Sequence, residues 1–178
     1  QDLSERHSAI EPPIWAGMLA NHCRNRNFNV EILDCEVLNL DPEQSAKDIA
    51  ATKPKIACYV VYGQQPSASS QNMEGAILSA KILKNNNPEI KILFVGGHIA
   101  ALPKETLENE KCIDFIALNE GVYAISNLLK VSDLNDLNTI KKVKGIGYRD
   151  ENNFIRLNDP EIIVPKNLLE QDLPGVAW

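Results

Sequence analysis

Lys91-Ile92-Leu93-Phe94-Val95-Gly96-Gly97-His98 is the stretch on which the fold turns. The run of strand-type residues up to Val95 reads as a strand, and Gly-Gly-His marks where the chain turns at its end. A second stretch repeats the arrangement. Lys55 to Tyr62 holds Ile56, Ala57, Cys58, Tyr59, Val60 and Val61 almost without a polar break, and Pro66-Ser67-Ala68-Ser69-Ser70 follows. This run reads as a strand buried on both faces, and so as a central one. In a parallel α/β sheet both small-residue clusters fall at carboxyl ends of strands, where ligands bind. Each cluster also has a plain structural account: glycines end strands because the chain must turn, and Ser69 or Ser70 suits the cap of the helix around Met73. Their order is what gives them weight, because neighbouring strands bring both to one edge and leave an open slot there.

Working outward, Pro12-Pro13 suits a helix start, and Ile14, Trp15, Met18, Leu19, His22 and Cys23 recur at helical spacing to about Asn25. Phe28 to Asp34 alternates as a strand with Val30 and Ile32 inward, and Asp41-Pro42-Glu43 opens a helix to about Thr52. Met73, Ala76, Ile77, Ala80 and Leu83 form the stripe of a helix that Asn85-Asn86-Asn87-Pro88 ends. A short helix near Pro103 to Asn109, a strand Ile113 to Leu118 and a helix Gly121 to Lys130 complete a βαβαβα alternation. The fold class is therefore α/β: a doubly wound, flavodoxin- or Rossmann-like parallel sheet with helices on both faces. Lys144 to Arg149 and Asn153 to Leu157 flank Asp150-Glu151-Asn152 as a C-terminal β-hairpin, and Asp159 to Trp178, with three prolines, reads as a surface linker. Two parts result, 1–140 for the main domain and 141–178 for hairpin and linker. Gln1 to Glu11 is too polar for a central strand, so it is expected to be the loop after a first strand lying upstream.

Composition narrows the function. The chain has 178 residues, 44% of them hydrophobic and 24% charged, with net charge −6 and no basic block, which argues against nucleic acid or an anionic membrane as partner. No stretch is apolar enough to span a bilayer and the opening is unlike a secretory signal, so a cytoplasmic location is expected. Cys23, Cys35, Cys58 and Cys112 are scattered without C-x-x-C spacing and read as small buried hydrophobes. No nucleophile triad and no Walker loop can be argued. Asp34 suits a ribose hydroxyl or a loop cap, His98 a ligand-facing position, His22 a structural one, and His7 the first loop. Glu120 in Asn119-Glu120-Gly121 would meet a helix N-terminus favourably.

Taken in order, these segments resemble the cobalamin-binding domain that precedes the catalytic barrel of B12-dependent radical S-adenosylmethionine (SAM) proteins. Pro12-Pro13 with its helix, the strand ending in Asp34, and Val95-Gly96-Gly97-His98 followed by Leu102 to Leu107 are similar to that family's P-P, strand-Asp and glycine-pair elements. Asn119-Glu120-Gly121 is similar to its G-E-G, with Asn replacing the first Gly; Lys144 to Asp150 resembles its hairpin and Asp172 to Trp178 its exit segment. The resemblance implies cobalamin lying across the strand ends, its nucleotide tail in the sheet edge, held by Ser67, Ala68, Ser69, Ser70, Gly96, Gly97, His98, Asn119, Glu120 and Gly121. The D-x-H-x-x-G motif that supplies an axial His elsewhere is missing, since Asp2-Leu3-Ser4 and Asp34-Cys35-Glu36 lack the His, so base-off binding without a protein ligand is expected. The three-cysteine motif C-x-x-x-C-x-x-C is also missing. The resemblance thus implies a non-catalytic module whose parent carries a 4Fe-4S cluster, S-adenosylmethionine and a C-terminal barrel, with methyl transfer its commonest reaction. A Leu at Gly96 or Gly97 is expected to fill the slot with little harm to folding. The alternatives are a flavodoxin-like nucleotide-binding or regulatory domain without cobalamin, and an interaction domain whose edge is plugged by Tyr62, Gln64 and Gln65.

Overall fold

The structure, a computed structural model, describes residues 12–62 and 66–176, apart from the side chains of residues 66–69 and 71. Gln1 to Glu11, Gln64 and Gln65 lie outside the described residues. Five strands form one sheet in the order β1 (Ile56–Val61), β2 (Lys91–Gly96), β3 (Phe115–Ala117), β4 (Ile146–Arg149), β5 (Ile155–Leu157). The first three are parallel, with Val61 level with Gly96 and Phe94 level with Ile116, while β4 and β5 run antiparallel. The hairpin thus extends the sheet, and the expected doubly wound α/β architecture is present.

The two apolar faces of β2 explain why helices cover both sides. Leu93 and Val95 face α1 (Ile14–Arg24) and α6 (Val122–Leu129) in one core, with Leu19, Cys23, Ile125 and Leu128. Ile92 and Phe94 face α2 (Pro42–Ala51), α3 (Pro66–Asn86), α4 (Gly97–Ala101) and α5 (Pro103–Asn109) in the other, with Ala46, Leu83, Ile99 and Leu107. Local signals set the boundaries: Asp41 caps α2 by accepting from the Gln44 amide at 2.7 Å, with Pro42 next to it. Asp114 ties α3 to the strand edge by accepting from Lys84 Nζ and the Ile92 amide, each at 2.7 Å. Short helices at Leu137–Ile140 (α7) and Leu169–Asp172 (α8), with a 3-10 turn at Lys166–Leu168, complete the elements, the last two in a strap that runs from Asn158 to Val176.

Several expectations are corrected. Phe28 to Asp34 keeps its alternation, with Phe28, Val30 and Ile32 half-buried between exposed Asn29 and Glu31, but it joins no ladder among the described residues. Arg24 takes the Val30 carbonyl through Nε at 3.0 Å and Nη2 at 2.7 Å, so an acceptor that would serve a neighbouring strand is bound by a side chain. Among the described residues β1 is consequently the edge strand and not a central one: Cys58 is exposed, whereas β2 is buried from Ile92 onward. Cys58 therefore departs from the buried-hydrophobe expectation. The serine run belongs to the first turns of α3 instead of preceding it. None of the described helices is long and apolar enough to cross a membrane.

Candidate functional site

Register puts the two small-residue clusters on one rim. β1 ends at Val61 beside Gly96 at the end of β2, and the helices that leave these strands, α3 and α4, start on that same side. Ser70 Oγ and His98 Nδ1 lie 2.8 Å apart, so a hydrogen bond spans the two clusters directly. Gly97 is exposed and helical, placing a residue without a side chain on the open face of the rim.

Gly96 has a different reason for being glycine. A Cβ there would stand 2.0 Å from the Val61 carbonyl oxygen and 2.8 Å from its carbon, so no side chain fits between the converging ends of β1 and β2. The expectation that Leu is tolerated at either glycine therefore fails at Gly96, where the obstacle is backbone. Gly121 is likewise a packing glycine: it caps α6 at φ 85°, and a Cβ would meet Val95 Cγ2 at 2.8 Å. Nothing in sequence alone separates these two from Gly97.

Across the β3 end the polar groups engage the strap. Asn119 accepts from the Gly121 amide at 3.0 Å and donates Nδ2 to the Glu161 carbonyl at 3.0 Å. Glu120 Oε1 accepts from the Val164 amide at 2.7 Å. Tyr62 turns toward α1 and stacks on Trp15, ring centroids 4.7 Å apart, which fixes the start of α1 at this rim. Its phenol is pushed up to about 12, first by burial and then by the Glu120 charge, so it stays protonated.

The strap is fastened by a cluster that sequence reading missed. Asp172 is buried and takes three partners: Arg26 Nη2 at 2.6 Å on Oδ1, the Tyr123 hydroxyl on Oδ2, and, through its backbone carbonyl, His22 Nδ1 at 2.6 Å. Accepting from Tyr123 and from Arg26 holds the carboxyl below the ordinary carboxylate range, while burial holds His22 below its own. With Nδ1–H donating to Asp172, Arg26 Nη1 donates to the His22 carbonyl at 3.1 Å, and His22 Nε2 is a buried lone pair without a partner among the described residues. A carboxylate 146 positions from its arginine carries no local pattern from which to read the pair.

A cleft of about 400 Å³ opens at the opposite end of the sheet, between Lys91, Asp114, Tyr148 and Arg149. Its main polar groups are already engaged: Asp114 as above, and the Arg149 guanidinium by the carbonyls of Leu107, Glu110 and Ile113 around the end of α5. The carboxyl rim, by contrast, combines a side-chain-free position with hydroxyl and imidazole groups.

OxsB, a cobalamin-dependent S-adenosylmethionine radical enzyme solved with aqua-cobalamin and S-adenosylmethionine bound, superposes with a TM-score of 0.70 over 97% of this chain at 20% identity, covering 22% of that chain. Its apo, selenomethionine-labelled form gives 0.66 at 21% identity over 89% of this chain. A sequence relative from Pyrococcus horikoshii, named as uncharacterized methyltransferase PH0819, is 28% identical over 164 residues, 92% of this chain and 33% of its own length. The chain thus spans about a third of that relative and about a fifth of OxsB. The profile of the B12 binding domain family matches residues 7–129, more than half of the sequence, and the chain belongs to that family.

Proposed function

We propose that the chain is a cobalamin-binding module that holds the cofactor over the carboxyl ends of β1 and β2, base-off and without a protein imidazole on cobalt. The observation that carries this reading is the Ser70–His98 pair beside exposed Gly97, a polar, side-chain-poor rim within a B12 binding domain. The nucleotide tail enters beside β2, where burial of about 200 Å² of apolar surface contributes roughly 5 kcal/mol. Ser70 supplies a hydroxyl near its ribose, the N-terminus of α3 favours its phosphate, and Gly97 keeps the approach clear. Asn119, Glu120 and Gly121 bound the far side through the strap they hold. Bound cobalamin supplies the organometallic chemistry of its cobalt; this chain binds and orients the corrinoid.

The module is the front portion of a radical SAM enzyme, most simply a methyltransferase, whose 4Fe-4S cluster and S-adenosylmethionine site belong to a C-terminal barrel on the same polypeptide. Support comes from the share of OxsB and of the methyltransferase relative that the chain spans. Its intracellular, cytoplasmic setting follows from the same reading.

Incubation with hydroxocobalamin, desalting and absorption spectroscopy test the binding. Base-off absorption is expected to stay with the protein in stoichiometric amount, and the Co(II) form is expected to show no superhyperfine splitting from an axial nitrogen. Colourless protein after desalting overturns the reading in favour of a flavodoxin-like nucleotide or regulatory domain. Nitrogen splitting that disappears in His98→Ala would instead make His98 an axial ligand and overturn the ligand-free part.

A further inference from the structure

Aromatic residues are scarce in this chain, 6% of the sequence, and yet two of them meet at the carboxyl rim. Tyr62 leaves β1 one residue past the Val61–Gly96 pair, which puts it beside Gly97, and Trp15 lies in the first turn of α1. Their rings stack with centroids 4.7 Å apart and 20° between the planes, and both stay half-buried. A second stacked pair, Tyr59 and Phe94, shows what stacking inside the core looks like: Phe94 has no exposed surface, and the Tyr59 hydroxyl is tied to Ser79 Oγ at 3.0 Å. Core filling accounts for that pair completely. It accounts for the rim pair only in part, because there two large rings keep some of their surface in water at the end of the sheet where ligands bind.

The groups around the pair are ordered across the strand ends. Ser70 and His98, with their hydroxyl and imidazole, come from α3 and α4, the helices on one face of the sheet. Gly97, exposed and without a side chain, stands where β2 ends. Trp15 and Tyr62 belong to the opposite face, where Tyr62 packs on the core of α1 and α6 and lies close enough to Glu120 for that charge to act on its phenol. A tail built of phosphate, ribose and a flat base has the same order, hydrogen-bonding groups first and an apolar ring last. Stacking suits that ring, because every heteroaromatic base has a π-face, and one base on an aromatic side chain strengthens binding by about ten- to a hundredfold.

We propose that Trp15 and Tyr62 form a stacking platform for the planar aromatic base at the end of the cofactor's tail, so that the chain selects corrinoids by that base although the base is off cobalt. This rests on the cobalamin reading of the rim and adds to it the part of the ligand that is recognised. Selection then follows the area and planarity of the base and is indifferent to whether the base carries a nitrogen able to reach the metal.

Equilibrium dialysis of the full-length polypeptide, purified without corrinoid, tests it against hydroxocobalamin and against diaquacobinamide, which has the same ring but no nucleotide. The wild type is expected to bind cobalamin about tenfold or more tightly than cobinamide. Trp15→Leu and Tyr62→Leu are expected to weaken cobalamin by about tenfold and to leave cobinamide unchanged, whereas Tyr62→Phe keeps the ring and with it the wild-type ratio. A corrinoid carrying a phenol as its base, which stacks but offers cobalt no nitrogen, is expected to bind like cobalamin. An undiminished preference for cobalamin in both Leu variants overturns the platform and leaves the cofactor reading intact, and so does a phenol-bearing corrinoid that binds no better than cobinamide. Equal loss of both corrinoids in the Leu variants assigns the rings to packing alone and likewise overturns it. Wild type that binds neither corrinoid sinks the cofactor reading, and the platform with it.

Discussion

Gly96→Ala is expected to destabilise the chain by about 4 kcal/mol or more, at the upper end of what single substitutions do, while Gly97→Leu leaves folding intact and abolishes cobalamin retention. The contrast follows from what surrounds two adjacent glycines. A methyl at position 96 would stand 2.0 Å from the Val61 carbonyl oxygen, an atom fixed in the β1–β2 ladder that cannot rotate away. Accommodation requires parting the strand ends, which exposes Ile99, fully buried in the core beneath. Position 97 is the first residue of α4 with helical backbone and its face open to solvent, so a Leu fits the backbone and improves helix propensity slightly. Its side chain instead stands where the nucleotide tail would pass. Thermal melts and hydroxocobalamin titrations separate the outcomes: a strongly lowered melting temperature for Gly96→Ala, and wild-type melting with at least a hundredfold weaker binding for Gly97→Leu. Wild-type affinity in Gly97→Leu would move the cofactor away from this strand end.

How far the fold was legible follows from which signals are local. The run up to Val95 reads correctly as a strand, and helices packed on both faces of β2 make it the doubly covered one. The run Ile56 to Val61 looks the same in sequence and yet lies at the edge of the described sheet, since burial on two faces and pairing on two edges are separate properties and only the first leaves a compositional trace. Phe28 to Asp34 shows the converse. Its alternation is real, and only the Arg24 side chain reveals that a ladder acceptor is bound elsewhere. At the site, sequence order was enough to anticipate that the serine run and the glycine pair share a rim, because parallel neighbours must align their ends. It could not divide the glycines by role, because room for a Cβ depends on how closely Val61 approaches. Nor could it find the Asp172 fastening, whose members come from α1, α6 and the strap and meet only through tertiary packing.

Asp172→Ala is the second large effect. Removing the carboxylate leaves the Arg26 guanidinium without its ion pair and the Tyr123 hydroxyl without its acceptor, and breaking one side of a buried pair costs about 3 kcal/mol, or roughly 10 °C in melting temperature for a chain of this size. Because Arg26 keeps some contact with water, with 28% of its side chain exposed, the lower end of the usual range applies. Tyr123→Phe removes only a hydrogen bond and is expected to cost about half as much. The strap should detach with the carboxylate, so limited proteolysis is expected to cut between Pro165 and Val176 in the Ala variant while the wild type resists. Acid should act on the same fastening in two steps. His22, held below its ordinary 6.5 by burial, is more readily protonated in the unfolded chain, so its contribution is whole above that pH and declines as pH falls below it. Asp172, held below its ordinary 3.8 by Tyr123 and Arg26, contributes above that value and loses its contribution as pH falls through the lower folded one. Stability is therefore expected to fall from about pH 6.5 downward, with a second decline below about 3.8, and His22→Gln is expected to flatten the first step only. An Asp172→Ala protein that melts with the wild type and resists cleavage of the strap would show that the strap is held by Val164, Leu168 and Leu173 packing alone, with the buried carboxylate a passenger.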